Sequence, residues 1–297
     1  MPFFDLNAAD DGAGDVALER VREAMEAMEY DGGWATARLV KARLPRKQDD
    51  APRAGKAGDR VFRRLTFECE NAKQMQWMAD PKNQAEHEAN AVARMYDVLA
   101  VRPTSAEALA YACRNAHAFE VLSIDLGTRL PFRLANKPLA AARDAGVALE
   151  VSYGPALRGG PTARRQLFAN AYLLAHALGV VNGAPLAAPA VRRRAILLTS
   201  AATRPEDLRA PRDAANLATL FGLTADGAIA AVSATPQAVL RRGAARRAGV
   251  PGVLAVEKWA AGDDTDDEDA MDEGEGEGEG DMDEDDGEVE DGLARRR

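Results

Sequence analysis

The sequence predicts an α/β fold built on parallel strands, and three observations carry that prediction. Seven short apolar runs recur along the chain, most of them are followed by an apolar pattern of helical period, and no glycine-rich dinucleotide or Walker fingerprint follows any of them. Strands that alternate with helices pair in parallel through right-handed crossovers, which leaves two architectures open, a barrel and a doubly wound sheet.

The strand-like runs fall at residues 3–7, 34–40, 61–68, 96–101, 121–126, 148–153 and 195–201. The last, AILLTSA, is too brief for a helix between its flanking Arg and Pro residues and reads as a strand buried on both faces. Between the strands, residues 15–28 carry Val16, Val21, Met25 and Met28 at helical spacing. Ser105 caps a helix over 106–115, Pro138 opens one over 139–145 that Gly146 closes, and Thr162 caps one over 163–178 that Gly179 closes. After the last strand Pro211 suits a first helical position, Leu217, Leu220 and Phe221 follow at helical spacing, and Gly222 supplies the left-handed residue that ends the helix. Thr224 and Thr235 cap two further helices, with Pro236 opening the second. Two stretches rich in Pro, Gly and charge, 44–59 and 182–194, read as flexible loops.

The 297 residues sum to a net charge of −9, but the charge is split. Residues 263–291 hold 19 acidic side chains and no basic one, and Arg295 to Arg297 follow, which leaves residues 1–262 with 35 basic against 28 acidic residues, a net of +7. The expected organisation is therefore one mildly basic domain over 1–262 and an acidic tail over 263–297 that buries too little apolar surface to order itself. A basic body suits a polyanionic partner. Cys69 and Cys113, two isolated cysteines, suggest reduced intracellular thiols, and no apolar run is expected to cross a membrane or direct secretion.

Four segments together carry a family resemblance: FFDLN at 3–7, VLSIDLGTRLPFRL at 121–134, GVALEVSYGPALR at 146–158, and the run from 195 to 249 with its pattern SAAxRPxxLRxPxDxANLxxLFGL. They resemble the thirty-kilodalton protein subunit family of eukaryotic and archaeal ribonuclease P over about residues 2–256. The resemblance implies a TIM-like β/α barrel, irregularly closed. It also implies a non-catalytic subunit of the ribonuclease P ribonucleoprotein, which removes the 5′ leader of precursor tRNA, and of RNase MRP, which processes rRNA. It implies Mg2+ bound by the RNA and no cofactor in the protein itself. The partners it implies are ribonuclease P RNA, RNase MRP RNA, precursor tRNA within the complex, and a small ferredoxin-like protein subunit. The compartment it implies is the nucleus, and within it the nucleolus.

A TIM-like barrel also raises an enzyme alternative, a metal-dependent phosphoesterase of the polymerase and histidinol phosphatase type, because such folds keep catalytic groups at strand C-termini. That chemistry needs clustered His and Asp. His87, His117 and His176 all fall in helical segments or at helix ends, and Asp5, Asn7 and Asp125 are the strand-end groups that remain. Asp5 and Asn7 read as hydrogen-bonding groups that fix the barrel end. Ser200 lacks the flanking glycines of a nucleophile elbow and reads as a structural or RNA-facing hydroxyl. A free-standing acidic-tail chaperone is a third class.

The arginines supply the candidate interface. Arg164 and Arg165 follow Thr162 in what reads as the first turn of a helix, where an anion is needed to offset the dipole. Arg204, Arg209 and Arg212 surround the turn after the last strand, and Arg241, Arg242, Arg246 and Arg247 lie near the end of the final helix. These arginines and Ser200 are the expected RNA- or partner-binding residues. Aromatic residues make up only 5% of the chain and no base-reading motif is present, so contacts to phosphate and shape are expected.

Overall fold

A computed structural model describes residues 1–9, 15–46, 60–181 and 195–249, all within a unit that runs from Met1 to Ala255. The acidic tail, the 182–194 loop and most of the 44–59 loop lie outside the described residues. Seven strands are present among those described: β1 (Phe4–Ala9), β2 (Gly33–Lys41), β3 (Val61–Cys69), β4 (Val98–Pro103), β5 (Val121–Ser123), β6 (Ala148–Ser152) and β7 (Ile196–Thr199). They pair in sequence order and every pairing is parallel. A parallel bridge between Ala8 and Ala202 brings the first strand back to the chain just beyond the last, so the sheet curls into a TIM-like barrel. Closure is irregular. The register of β1 shifts between Asp5 and Ala8, and a side chain helps to tie the seam, with Asp5 Oδ2 accepting from the Ser200 N–H at 3.0 Å.

Two-sided burial explains why these strands read as nearly continuous apolar runs. Leu65, Phe67, Leu99, Val101, Leu122, Leu149, Val151 and Leu198 pack outward with the helices. The alternate residues Leu6, Ala35, Val98, Ala100, Val121, Ala148 and Leu197 fill the lower interior of the barrel. The small alanines among them let the seven described strands close around their own side chains.

Ten α-helices are described: α1 (Asp15–Ala27), α2 (Gln76–Ala79), α3 (Gln84–Arg94), α4 (Ala106–Arg114), α5 (Asn136–Asp144), α6 (Gly154–Arg158), α7 (Gly160–Ala177), α8 (Pro211–Thr219), α9 (Ala225–Val232) and α10 (Ala234–Arg247). Ser105 and Thr224 cap α4 and α9 as expected, each side-chain oxygen accepting an amide at 3.1 Å. Three expected helix starts shift. Helix α5 begins two residues before Pro138, which its first turn tolerates because the proline lacks an amide hydrogen that would be unpaired there anyway. Helix α7 begins at Gly160, so Thr162 lies inside the first turn and caps nothing. Helix α10 begins at Ala234, and Thr235 and Pro236 are both buried in its first turn. Helix α2 is not expected from the sequence, and α3, which holds His87, is given no bounds there.

Helix α10 crosses the end of the barrel where the strands begin. Its Val239 joins the lower interior cluster, and Gly243 passes so close to the chain before β4 that a Cβ there would lie 1.9 Å from the Asp97 carbonyl oxygen. The other end, where the strands finish, is where this fold class builds its sites.

Candidate RNA and partner interface

At that upper end the interior turns polar. Arg64 on β3 and Glu150 on β6, 0% and 1% exposed, form a bidentate pair with both N···O distances 2.6 Å. The guanidinium also donates to the Leu6 carbonyl at 3.1 Å and to Thr66 Oγ1 at 3.0 Å. Glu150 Oε1 accepts further from Asn7 Nδ2 at 2.9 Å and from Thr199 Oγ1 at 2.8 Å. Burial by itself would raise the pKa of this carboxyl. The adjacent Arg64 charge and the hydrogen bonds from Arg64, Ser123 and Thr199 outweigh it and hold Glu150 at about 2. A carboxylate so firmly ionised, with its oxygens already taken by Arg64, Asn7 and Thr199, is a weak general base.

Asp5 sits at the seam. Its Oδ1 accepts from the Asn7 N–H and its Oδ2 from the Ser200 N–H, both at 3.0 Å. Burial pushes its pKa up to about 6 against the lowering effect of those bonds. Both Asp5 and Asn7 therefore fix the barrel end, as read from the sequence. Ser200 belongs to the same seam and corrects an expectation. It is fully buried, and its Oγ accepts from the Ala202 N–H at 3.1 Å, so it presents no hydroxyl to RNA or a partner. Asp125 is exposed, and its Oδ1 accepts from the Gly127 N–H at 3.2 Å in a tight turn. His87 and His176 lie on α3 and α7, and His117 in a short 3-10 turn after α4. Among the described residues no group of three or more His, Cys, Asp or Glu is placed to hold a metal ion.

The arginines divide sharply. In the turn after β7 an internal carboxylate, Asp207, organises the backbone. It accepts from the Thr203 and Arg204 amides at 3.1 and 3.3 Å and pairs with Arg158, which also donates twice to the Ala201 carbonyl. Arg158 was not anticipated. The Arg204 side chain is exposed, Arg209 donates to the Glu206 and Leu208 carbonyls, and Arg212 lies 5.9 Å over the Phe3 ring.

On α10, two of the four expected contact residues, Arg242 and Arg246, turn inward instead, and a third, Arg247, stays exposed while pairing with a neighbouring carboxylate. Arg246 pairs with Glu120 at 2.8 Å and donates to the carbonyls of Ala93 and Tyr96. Arg242 donates to the carbonyls of Ala145 and Ala116, and Arg247 pairs with Asp97. These side chains clamp α10 across the barrel, because its closing position brings it against the turns that precede β4, β5 and β6. Arg241 stays exposed. Arg164 and Arg165 are exposed too, but they stand in the second turn of α7, beyond the part of the helix where the dipole acts most strongly.

Residues 2–248 match the family described as RNase P subunit p30. The chain belongs to that family. It is 33% identical over 175 residues to the mouse ribonuclease P protein subunit p30, an alignment that covers 59% of each chain. It is 32% identical over 190 residues to the probable ribonuclease P protein subunit 3 of Schizosaccharomyces pombe, covering 63% of this chain and 69% of that one. With the Arabidopsis thaliana protein GAMETOPHYTE DEFECTIVE 1 it shares 30% identity over 204 residues, 69% of this chain and 31% of the plant protein. The chain thus spans less than two thirds of the mouse and plant relatives. A chain of a cryo-EM structure of archaeal ribonuclease P with mature tRNA superposes with a TM-score of 0.52 at 13% identity, covering 82% of this chain and 93% of that one, a likeness of fold. The p30 family match ends one residue after the last turn of α10, so it takes in the helix that seals the lower end of the barrel.

The Arg64–Glu150 pair is the part of this upper end that the sequence reading missed. A signal for part of it exists: Glu150 is the one charge inside the otherwise apolar run GVALEV, whereas Arg64 stands in β3 beside Arg63 and Glu68 and is not singled out by pattern.

Proposed function

We propose that this p30-family chain is a non-catalytic protein subunit of a ribonuclease P ribonucleoprotein and supports removal of the 5′ leader of precursor tRNA. The family match over residues 2–248 carries the reading. The barrel's upper end supports it, since the position where related folds keep catalytic groups is filled by a saturated ion pair. On this reading the catalytic centre and its Mg2+ belong to the RNA, and the protein has no cofactor of its own. Its partners are ribonuclease P RNA, precursor tRNA through the complex, and other protein subunits, among them a small ferredoxin-like one. A second role in RNase MRP, with its RNA and rRNA processing, and a nuclear, nucleolar location complete the proposal. The phosphoesterase alternative is not favoured, because hydrolysis of that type needs a metal cage that the strand ends do not assemble among the described residues.

The test is affinity purification of the full chain followed by sequencing of the RNA that accompanies it. Enrichment of ribonuclease P RNA is expected, and of RNase MRP RNA if the second role holds. Absence of both overturns the proposal, as does cleavage of precursor tRNA by the pure chain after all RNA has been digested away.

A further inference from the structure

Helix α7 presents Arg164, Phe168 and Tyr172 one turn apart on its outer face, with Arg165 and Leu173 beside them. Phe168, Tyr172 and Leu173 are 37%, 49% and 55% exposed. The end of α8 continues this surface. The Phe168 ring meets the buried Phe221 ring at 5.5 Å, and the Tyr172 ring lies 3.2 Å from where a Cβ on Gly222 would sit, so the segment that also carries Leu220, 64% exposed and bonded to Phe221, reaches α7 here. Single exposed apolar side chains are ordinary on a folded protein, but four large ones on two segments that meet mark an interaction surface.

The composition selects the kind of partner. Aromatic and arginine side chains suit either RNA or protein, yet the two most exposed members, Leu173 and Leu220, are aliphatic and offer no ring on which a base could stack. A protein surface gains from covering them, and Tyr, Phe and Arg are the residues that dominate such interfaces. Charge completes the match: α7 contains no acidic residue, and Arg164 and Arg165 form a positive rim at its N-terminal end. We propose that this α7–α8 face docks a different protein, one whose contacting surface is apolar at its centre and carries carboxylates facing Arg164 and Arg165. The proposal deepens the reading above, since it rests on the chain working inside a multi-subunit particle.

The test places the photo-crosslinker p-benzoylphenylalanine in place of Tyr172, and separately of Leu220, in the full chain within its assembled particle, with exposed Glu88 on α3 as the control position. One protein captured from both positions, and not from the control, is the expected result. With that protein purified, Tyr172→Ala and Leu220→Ala should each weaken binding at least tenfold, and Arg164→Glu with Arg165→Glu should weaken it and flatten its salt dependence. Leu220→Ala and the arginine changes should leave the melting temperature unchanged, because those side chains are exposed, whereas Tyr172→Ala also loses its contact with Gly222 and is read against them. Crosslinks to RNA, to a second copy of this chain, to residues 182–194 of the same chain, or to nothing overturn the proposal. If the protein is captured from particles that lack ribonuclease P RNA, the docking face stands and the ribonuclease P reading falls. Particles that hold the RNA and yield no protein crosslink give the reverse.

Discussion

Replacing Glu150 with Gln is the sharpest probe of the barrel's interior. The change leaves the guanidinium of Arg64, 0% exposed, without its counter-charge, and removes one of two oxygens that together accept from Arg64, Asn7 and Thr199. Taking one partner from a buried pair costs about 3–5 kcal/mol. A second route agrees: lowering the Glu150 pKa from an ordinary 4.5 to about 2 corresponds to about 3 kcal/mol, at about 1.36 kcal/mol per pH unit. Against a total of about 5–15 kcal/mol, that is a large share. The melting temperature should fall by about 10 °C, since each kcal/mol moves a domain of this size by about 2–4 °C. The sign of the pH dependence follows from the folded pKa lying below the unfolded one. The stabilisation is fully present above pH 4.5 and is lost as the pH falls through 2, so the deficit of the variant should shrink in acid. Urea and thermal denaturation followed by circular dichroism at pH 7 and pH 3 measure both effects. The double variant Arg64→Met/Glu150→Leu, with both charges gone, should recover most of the loss. A Glu150→Gln chain within about 1 kcal/mol of wild type at pH 7, or a double variant no better than the single one, would refute this reasoning.

Three further outcomes are expected. The pKa of Asp5 is raised by burial from 3.8 to about 6, so its contribution to stability is full below pH 3.8 and is lost as the pH rises through 6; Asp5→Asn should gain on wild type across that window, and parallel urea-stability profiles would refute it. Arg246→Ala removes a charge pair and two carbonyl contacts that hold α10, which should cost about 2–4 kcal/mol in denaturation, while the salt dependence of RNA binding stays unchanged if the residue is a clamp. Arg204→Ala with Arg209→Ala should weaken RNA affinity or particle assembly and lower the salt slope by roughly one to two, at about 0.7–0.9 per phosphate contact. Unaltered binding excludes these two arginines from the interface, and a fall in melting temperature assigns them to the turn's own scaffold.

The strands were legible because burial on both faces writes them as apolar runs bounded by Gly, Pro and charge, and β7 in AILLTSA is the clearest case. Helices with a strong cap were legible too. Helix α3, although capped by Asn83, had no legible bounds, since its buried face consists of Ala89, Val92 and Ala93, too small a set to stand out as a period in the sequence. Closure into a barrel depends on contacts between Asp5 and Ser200 that local pattern does not encode. The arginines show a different limit. Composition counts charges but does not reveal which are already spent, and Arg242 and Arg246 look like phosphate contacts until α10 is seen lying against Glu120 and a row of carbonyls.

The tie between Asp5 and Ser200 joins residues 195 positions apart, and time on the ribosome separates them. At about 5–20 residues per second, synthesis needs roughly ten to forty seconds to travel from one to the other. Through that interval the outer edge of β1 has no strand to pair with, the condition under which nascent sheets stick to one another. A charge near the start of that strand discourages such pairing while water still surrounds it. The same carboxyl that folding forces into the dry seam, at a cost visible in its raised pKa, is positioned to protect the chain before the seam exists.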